Sequence, residues 1–259
     1  MKNSAASAKS KGVVIFASNT ATIDYIAIAE QAARLVKKYL DLPTTIITDS
    51  VESNNRRYSI DTGKFEPWNN LGRHRAYELS PYDQTILLDS DYLVLDDNLL
   101  KVLATLQDYK IVRHNTYLDG SPVSPMGKYS ISYVWATILA FERTPKAQML
   151  FDFVARIERN YAHYQRLYNI TATNYRNDYA FTIADLVLNG YTQDSQNYIP
   201  WPMLSISNTI NSLSLVNNKI TVKADNRAWV LPKQSLHIMS KAWLTSDSCE
   251  EFVKEAERA

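Results

Sequence analysis

"TILLDSDYLVLDD", Thr85–Asp97, decides how the rest of the chain is read. Ile86, Leu87 and Leu88 form a short apolar run, the pattern of a strand buried in a sheet. The run ends abruptly in Asp89, Ser90 and Asp91. Residues two apart on an extended chain leave the same face, so both carboxylates point one way. Bare, they would repel each other at a cost of several kcal/mol, the order quoted for poorly compensated buried charge.

Upstream, "VVIFAS" (Val13–Ser18) is a second apolar run rich in β-branched residues. "TIDYIAIAEQAARLVKKYL" then changes period, with Ile28, Ala32, Leu35 and Tyr39 on one helical face. Lys37 and Lys38 suit the negative end of that helix. Pro43 stops it, and "TTIITDS" (Thr44–Ser50) returns to strand character. Strand, helix and strand make a parallel βαβ unit with a right-handed crossover. Residues 51–70 read as a loop long enough to suspect function.

Downstream of a short helix in "GRHRAYELSPYD" and the aspartate strand, "DDNLLKVLATLQDY" offers caps at residues 96–98 and an apolar face at Leu99, Leu103 and Leu106. "KIVRHN" and "VWATILAFER" are further strands, separated by the loop "YLDGSPVSPMGKYS". A helix from Pro145 is expected to carry Met149, Phe153, Ile157 and Tyr161 on one face. "NDYAFTIADLVLNG" predicts a helix ending at Gly190. "IPWPMLSIS", "KITVKAD", "AWVLP" and "SLHIMSKAW" give a more irregular second half, expected on the same sheet.

The 259 residues suit one large domain, and a charged fraction of 21% suits an ordinary globular chain. A net charge of +1 without long runs of one sign argues against a nucleic-acid partner. Cys249 is the only cysteine, so no internal disulfide forms and a reducing, cytoplasmic location is expected. Residues 1–11 read as a disordered tail and not a signal peptide, and no apolar stretch is long enough to span a membrane.

The six glycines, at 12, 63, 72, 120, 127 and 190, are nowhere clustered. Neither a P-loop nor a dinucleotide-binding glycine turn is present, so phosphate charge must be met in another way. Ligands of open α/β sheets gather beyond the carboxyl ends of the strands, where Asp89 and Asp91 stand. Carboxylate oxygens suit Mg²⁺ or Mn²⁺ and leave coordination positions for phosphate oxygens.

"SPYDQTILLDSDYLVLDD" resembles the D-x-D segment of GT-A glycosyltransferases, especially the family-8-like (glycogenin-like) branch. "VVIFASN" is similar to that family's first strand, "RHRAYELSPYDQTILLDSD" to its basic helix and metal strand, and "VWATILAFER" to the strand after the donor-site loop. "NDYAFTIA" is similar to its acidic helix start, and "LHIMSKAW" to a C-terminal His…Lys-Pro-Trp motif, with Ala242 standing where the family has Pro. The resemblance covers most of residues 13–243. It implies a Rossmann-like α/β GT-A domain over residues 12–245, with a mostly parallel central sheet flanked by helices. Residues 246–259 are left as a C-terminal helix or tail.

The resemblance also implies roles. Asp89, Asp91 and His237 would hold Mn²⁺ or Mg²⁺. Ala17, Ser18, Asn19, Arg73, Arg75, Ser90 and Lys241, with the two aspartates, would bind a nucleoside diphosphate sugar, a UDP-sugar by resemblance. Lys241 would meet charge on the departing diphosphate. Asp178, with Asn177 beside it, would act near the anomeric carbon, as a base if the enzyme inverts. The acceptor stays open among glycan, protein and small molecule, and a homo-oligomer is allowed. Alternatives are a nucleotidyltransferase of the same architecture, a haloacid-dehalogenase-like phosphotransferase with Asp89 as nucleophile, and a non-catalytic nucleotide-sugar-binding module. Tyr161, Tyr164, Tyr168, Tyr175 and Tyr179 read first as core, with an aromatic acceptor platform as the other reading.

Overall fold

The computed structural model describes residues 9–48, 57–59, 72–124, 131–192 and 195–259. The expected loop at 51–70 therefore lies outside the described residues except for 57–59.

The first half builds the large sheet. Strand β1 (Lys11–Phe16) leads to helix α1 (Tyr25–Leu40), then β2 (Thr44–Thr48) and β3 (Arg57–Ser59). Asp24 caps α1 by accepting from the Ala27 amide at 2.9 Å. Its far end closes at Asp41, whose φ of 51° is left-handed and whose amide donates to the Lys37 carbonyl. A tight turn at Arg73–Arg75 runs into α2 (Ala76–Leu79), and then comes β4 (Gln84–Leu88), every residue of it buried.

After the aspartates come β5 (Tyr92–Leu93), α3 (Asn98–Ala104), β6 (Tyr109–Val112), β7 (Asn115–Thr116) and β8 (Trp135–Glu142). Helices α4 (Pro145–Arg159), α5 (Tyr161–Leu167) and α6 (Asn177–Leu188) follow, then β9 (Tyr198–Ile199). The order in the large sheet is β3-β2-β1-β4-β8-β6-β9, and only β8 runs against its neighbours.

Alternation along the strands divides the interior. Val14, Leu87, Leu139 and Phe141 face α4 and α6, whereas Val13, Ile15, Ile86 and Leu88 face α1 and α3. Each such fully buried side chain contributes about 1.5–3 kcal/mol. Gly12 is required at the start of β1, because a Cβ there would sit 2.3 Å from the Tyr82 ring. That ring is fixed in turn by a 2.9 Å bond between its hydroxyl and Thr45.

The second half departs from expectation. Apart from β9, it does not extend the large sheet but takes part in two others. Strands β10 (Met203–Ile206) and β14 (Leu236–Ile238) join β5 and β7 in a four-stranded sheet, order β5-β14-β10-β7. Strands β11 (Ile210–Val216), β12 (Lys219–Ala224) and β13 (Arg227–Pro232) form an antiparallel meander. Strand β11 alternates buried and polar residues too irregularly to stand out in the sequence. Helices α7 (Lys241–Leu244) and α8 (Asp247–Arg258) close the chain. Helix α8 buries Cys249, Phe252, Val253 and Ala256 in a third core shared with the meander and with Ile28 and Leu35 of α1. Arg34 of α1 also binds Glu250 at 2.9 Å and Glu257 at 3.1 Å.

Helix α4 corrects a second expectation. Its buried stripe is Ala147, Leu150, Phe151, Val154 and Ile157, while Met149 is 55% exposed. Packing against α6 selects the Leu150–Val154 side, and the helix ends before Tyr161, which opens α5. Tyr161, Tyr168 and Tyr179 are core, with Tyr164 and Tyr175 packed against them.

Candidate active site

The two aspartates stand where two sheets meet. The Asp89 amide donates to the Thr137 carbonyl of β8, on the large sheet, at 3.0 Å. Two residues on, the Asp91 carbonyl accepts from the Ile238 amide of β14, on the small sheet, at 2.9 Å. Asp-Ser-Asp thus bridges them, with Ser90 buried between.

The carboxylates differ in their surroundings. The Asp89 side chain is 34% exposed and pairs with Arg73. Arg73 is buried and its other terminal nitrogen donates to the Ala136 carbonyl at 2.7 Å. The Asp91 side chain is only 11% exposed and pairs with Lys241, with His237 Nε2 at 3.5 Å. Burial alone would push the Asp91 pKa up, but His237 and Lys241 outweigh it and hold the carboxyl well below its usual range. In return, Asp91 overcomes the opposing effect of burial and raises both His237 and Lys241.

The His237 ring is fixed from behind. Ser205 Oγ donates to Asn115 Oδ1 at 2.7 Å, so its single proton is used and it accepts from His237 Nδ1 at 2.8 Å. Nε2 is therefore the nitrogen that faces the aspartates, the arrangement common behind metal-bound histidines. Ligand atoms from Asp89, Asp91 and His237 lie within 4.8 Å of one another. Asp91 Oδ1 is buried without a hydrogen-bond partner, an acceptor that the protein itself leaves unsatisfied. Two carboxylates, one with an unpaired oxygen, and one imidazole suit a hard or borderline divalent cation.

Asp178 does not cap its helix, as an acidic residue there would in the simplest reading; Arg176 occupies the cap. Its carboxylate instead accepts from the Ala136 amide at 2.8 Å and is bonded by the Tyr133 hydroxyl. Consecutive β8 residues therefore anchor three candidates: Ala136 holds Asp178 and Arg73, and Thr137 holds Asp89. Burial first, and the charge of Asp89 among the remaining causes, push the Asp178 pKa up. Asn177 is buried and accepts from the Tyr175 hydroxyl at 3.1 Å.

At the end of β1, the Ala17 amide donates to the Ile47 carbonyl at 2.9 Å, and Ser18 is half-buried. Asn19 accepts from the Ile26 amide at 3.0 Å, so its side chain already steadies the start of α1. Arg75 is half-buried and makes no ion pair with an acidic group among the described residues. The structure thus brings Arg73, Asp89, Asp91, His237 and Lys241 together, while Arg75 stays out of their ion-pair network.

Sequence reasoning missed Tyr25, Ser205 and Asn115. Burial first pushes the pKa of the Tyr25 hydroxyl up, and the charges of Lys241, Asp91 and Asp89 act on it as well. A tyrosine opening the first helix was its only sequence signal. Ser205 and Asn115 carried none.

No helix among the described residues is long and apolar enough to cross a membrane. No protein-family model and no curated protein matches the sequence. Among solved structures, the glycosyltransferase GlyE of Streptococcus pneumoniae TIGR4 is similar at 14% identity and a TM-score of 0.42, over 73% of this chain and 44% of its own. This chain therefore spans less than half of GlyE. LgtC, from the crystal structure of an active-site mutant, is similar at 15% identity and a TM-score of 0.51, over 95% of each chain. With a mostly parallel sheet flanked by helices and an Asp-x-Asp pair at a strand end, the fold is that of GT-A glycosyltransferases.

Proposed function

We propose that the chain is a metal-dependent glycosyltransferase that moves a sugar from a nucleoside diphosphate donor, by resemblance a UDP-sugar, to an acceptor hydroxyl. The observation that carries this reading is the convergence of ligand atoms from Asp89, Asp91 and His237 within 4.8 Å of one another. These three residues would hold Mn²⁺ or Mg²⁺, which when bound offsets diphosphate charge and improves the leaving group.

The protein's own groups supply the rest. Lys241, held beside Asp91, is a point charge that would meet the diphosphate. Arg73 keeps Asp89 aimed by tying it to the Ala136 carbonyl. Tyr25 would flank the donor at the head of α1, with Ala17, Ser18 and Asn19 at the end of β1 behind it. Asp178, locked to the β8 backbone, presents a carboxylate whose raised pKa suits proton transfer with an acceptor hydroxyl. Asn177 would orient the sugar beside it.

The test is release of free nucleotide from a panel of nucleoside diphosphate sugars, read by mass spectrometry with Mn²⁺ and with a chelator. Mn²⁺-dependent release is expected from at least one donor. A folded sample inert toward every donor, and binding no nucleoside diphosphate, sinks the reading.

A further inference from the structure

A concavity of about 420 Å³ opens past the carboxyl ends of β7 and β10. Tyr117 and Asp119 line it from the turn after β7, Asn208 from the turn after β10, and Asp225, Arg227 and Trp229 from the last hairpin of the meander. Its volume falls in the range of about 300–1,000 Å³ usual for small-ligand sites.

Topology fixes its relation to the aspartates. Strands β14, β10 and β7 run parallel and adjacent, and Asp91 sits against Ile238 at the carboxyl end of β14. The groove lies past the same ends of β10 and β7. At about 5 Å per strand, it opens about 5–10 Å to the side of the strand that carries His237.

The lining has a distinct chemistry. Trp229 is registered with Val222 on the inner face of the meander and packs partly against the third core, so its ring is held in place. Asn208 donates to Asp225 Oδ2 at 2.6 Å, which fixes a paired amide and carboxylate. Asp119 is set by accepting from the Ser121 amide at 2.9 Å and its hydroxyl at 2.6 Å. Flat aromatic faces next to planar, preset hydrogen-bonding groups match a pyranose, which has an apolar C–H face and a rim of hydroxyls. Two carboxylates against one arginine disfavour a phosphate or other anion.

We infer that this groove is the subsite that binds a neutral sugar ring of an oligosaccharide acceptor, next to the ring being extended. The inference rests on the glycosyltransferase reading and names its acceptor class. Trp229 and Tyr117 would stack on the ring while Asp119, Asp225, Asn208 and Arg227 take its hydroxyls.

Two independent titrations test it on the full chain. One uses UDP, GDP and CDP with Mn²⁺; the other uses lactose, cellobiose, maltotriose, mannobiose, chitobiose and N-acetyllactosamine. At least one oligosaccharide should bind, and Trp229→Ala and Asp225→Asn should each weaken it about tenfold, leaving nucleotide affinity within about twofold. Asp225→Asn guards against misfolding, since asparagine suits the left-handed φ of 47° at that position. Oligosaccharide affinity unchanged in both variants overturns the subsite, as does a chain that binds nucleotide and no oligosaccharide. Oligosaccharide binding that depends on Trp229, without any nucleotide binding, upholds the groove and removes the donor reading instead.

Discussion

The large sheet and the small sheet hold opposite ends of one tripeptide, and they do so differently. On the large sheet, Asp89 is fixed by a strand backbone and a buried arginine, and its side chain still meets solvent. On the small sheet, Asp91 is enclosed by a lysine and a histidine whose ring is wedged by Ser205 and Asn115. One side offers an accessible carboxylate on a rigid wall. The other offers a buried carboxylate with its charge compensated and one oxygen left over. A cation site needs both qualities, exposure to ligand and exclusion of water, and neither sheet has both.

The hardest test of this division is Phe252→Ala in α8. If the small-sheet half is integral to the fold, removing this fully buried ring costs about 3–5 kcal/mol in denaturant unfolding. Unchanged stability would show that the terminal helix is an accessory and that the third core does not support β14.

Asp91→Asn probes the site itself and should lower kcat/KM for Mn²⁺-dependent donor hydrolysis by about 10²–10³-fold. Full activity in this variant would remove the metal from the reading. Gly12→Ala probes the large sheet alone. Its methyl would collide with the Tyr82 ring, at a cost of about 1–3 kcal/mol in thermal unfolding, and Mn²⁺ affinity should hold. Ser205→Ala is the mildest change. It should weaken Mn²⁺ binding about tenfold in a titration and cost about 1 kcal/mol in unfolding, because it loosens the imidazole and leaves Asn115 Oδ1 without its donor. Equal Mn²⁺ affinity in that variant would detach His237 from the site.

The large sheet was legible because its strands are continuous apolar runs and its helices have clear periods. β1, α1, β2, β4 and β8 all show this. The small sheet was not, since strands of two to four residues such as β5, β7 and β14 hold no period, and strands far along the chain pair β5 and β7. The aspartates showed themselves as charge at the end of an apolar run. Much of what holds them is main chain, namely the carbonyls of Ala136 and Thr137 and the amide of Ile238, and main-chain atoms leave no trace in a sequence. The face of α4 failed for a related reason: two stripes were apolar enough, and only the neighbour α6 could choose.

A tripeptide spanning two sheets also acts as a mechanical coupling. Sliding one sheet against the other changes the gap between the carboxylates directly, with no flexible loop to absorb the motion. Any ion that clamps both groups therefore fastens the two halves together, and its binding energy appears as cooperativity of the whole chain. Melting curves with the cation should be one sharp step in which α8 and the large sheet come apart together.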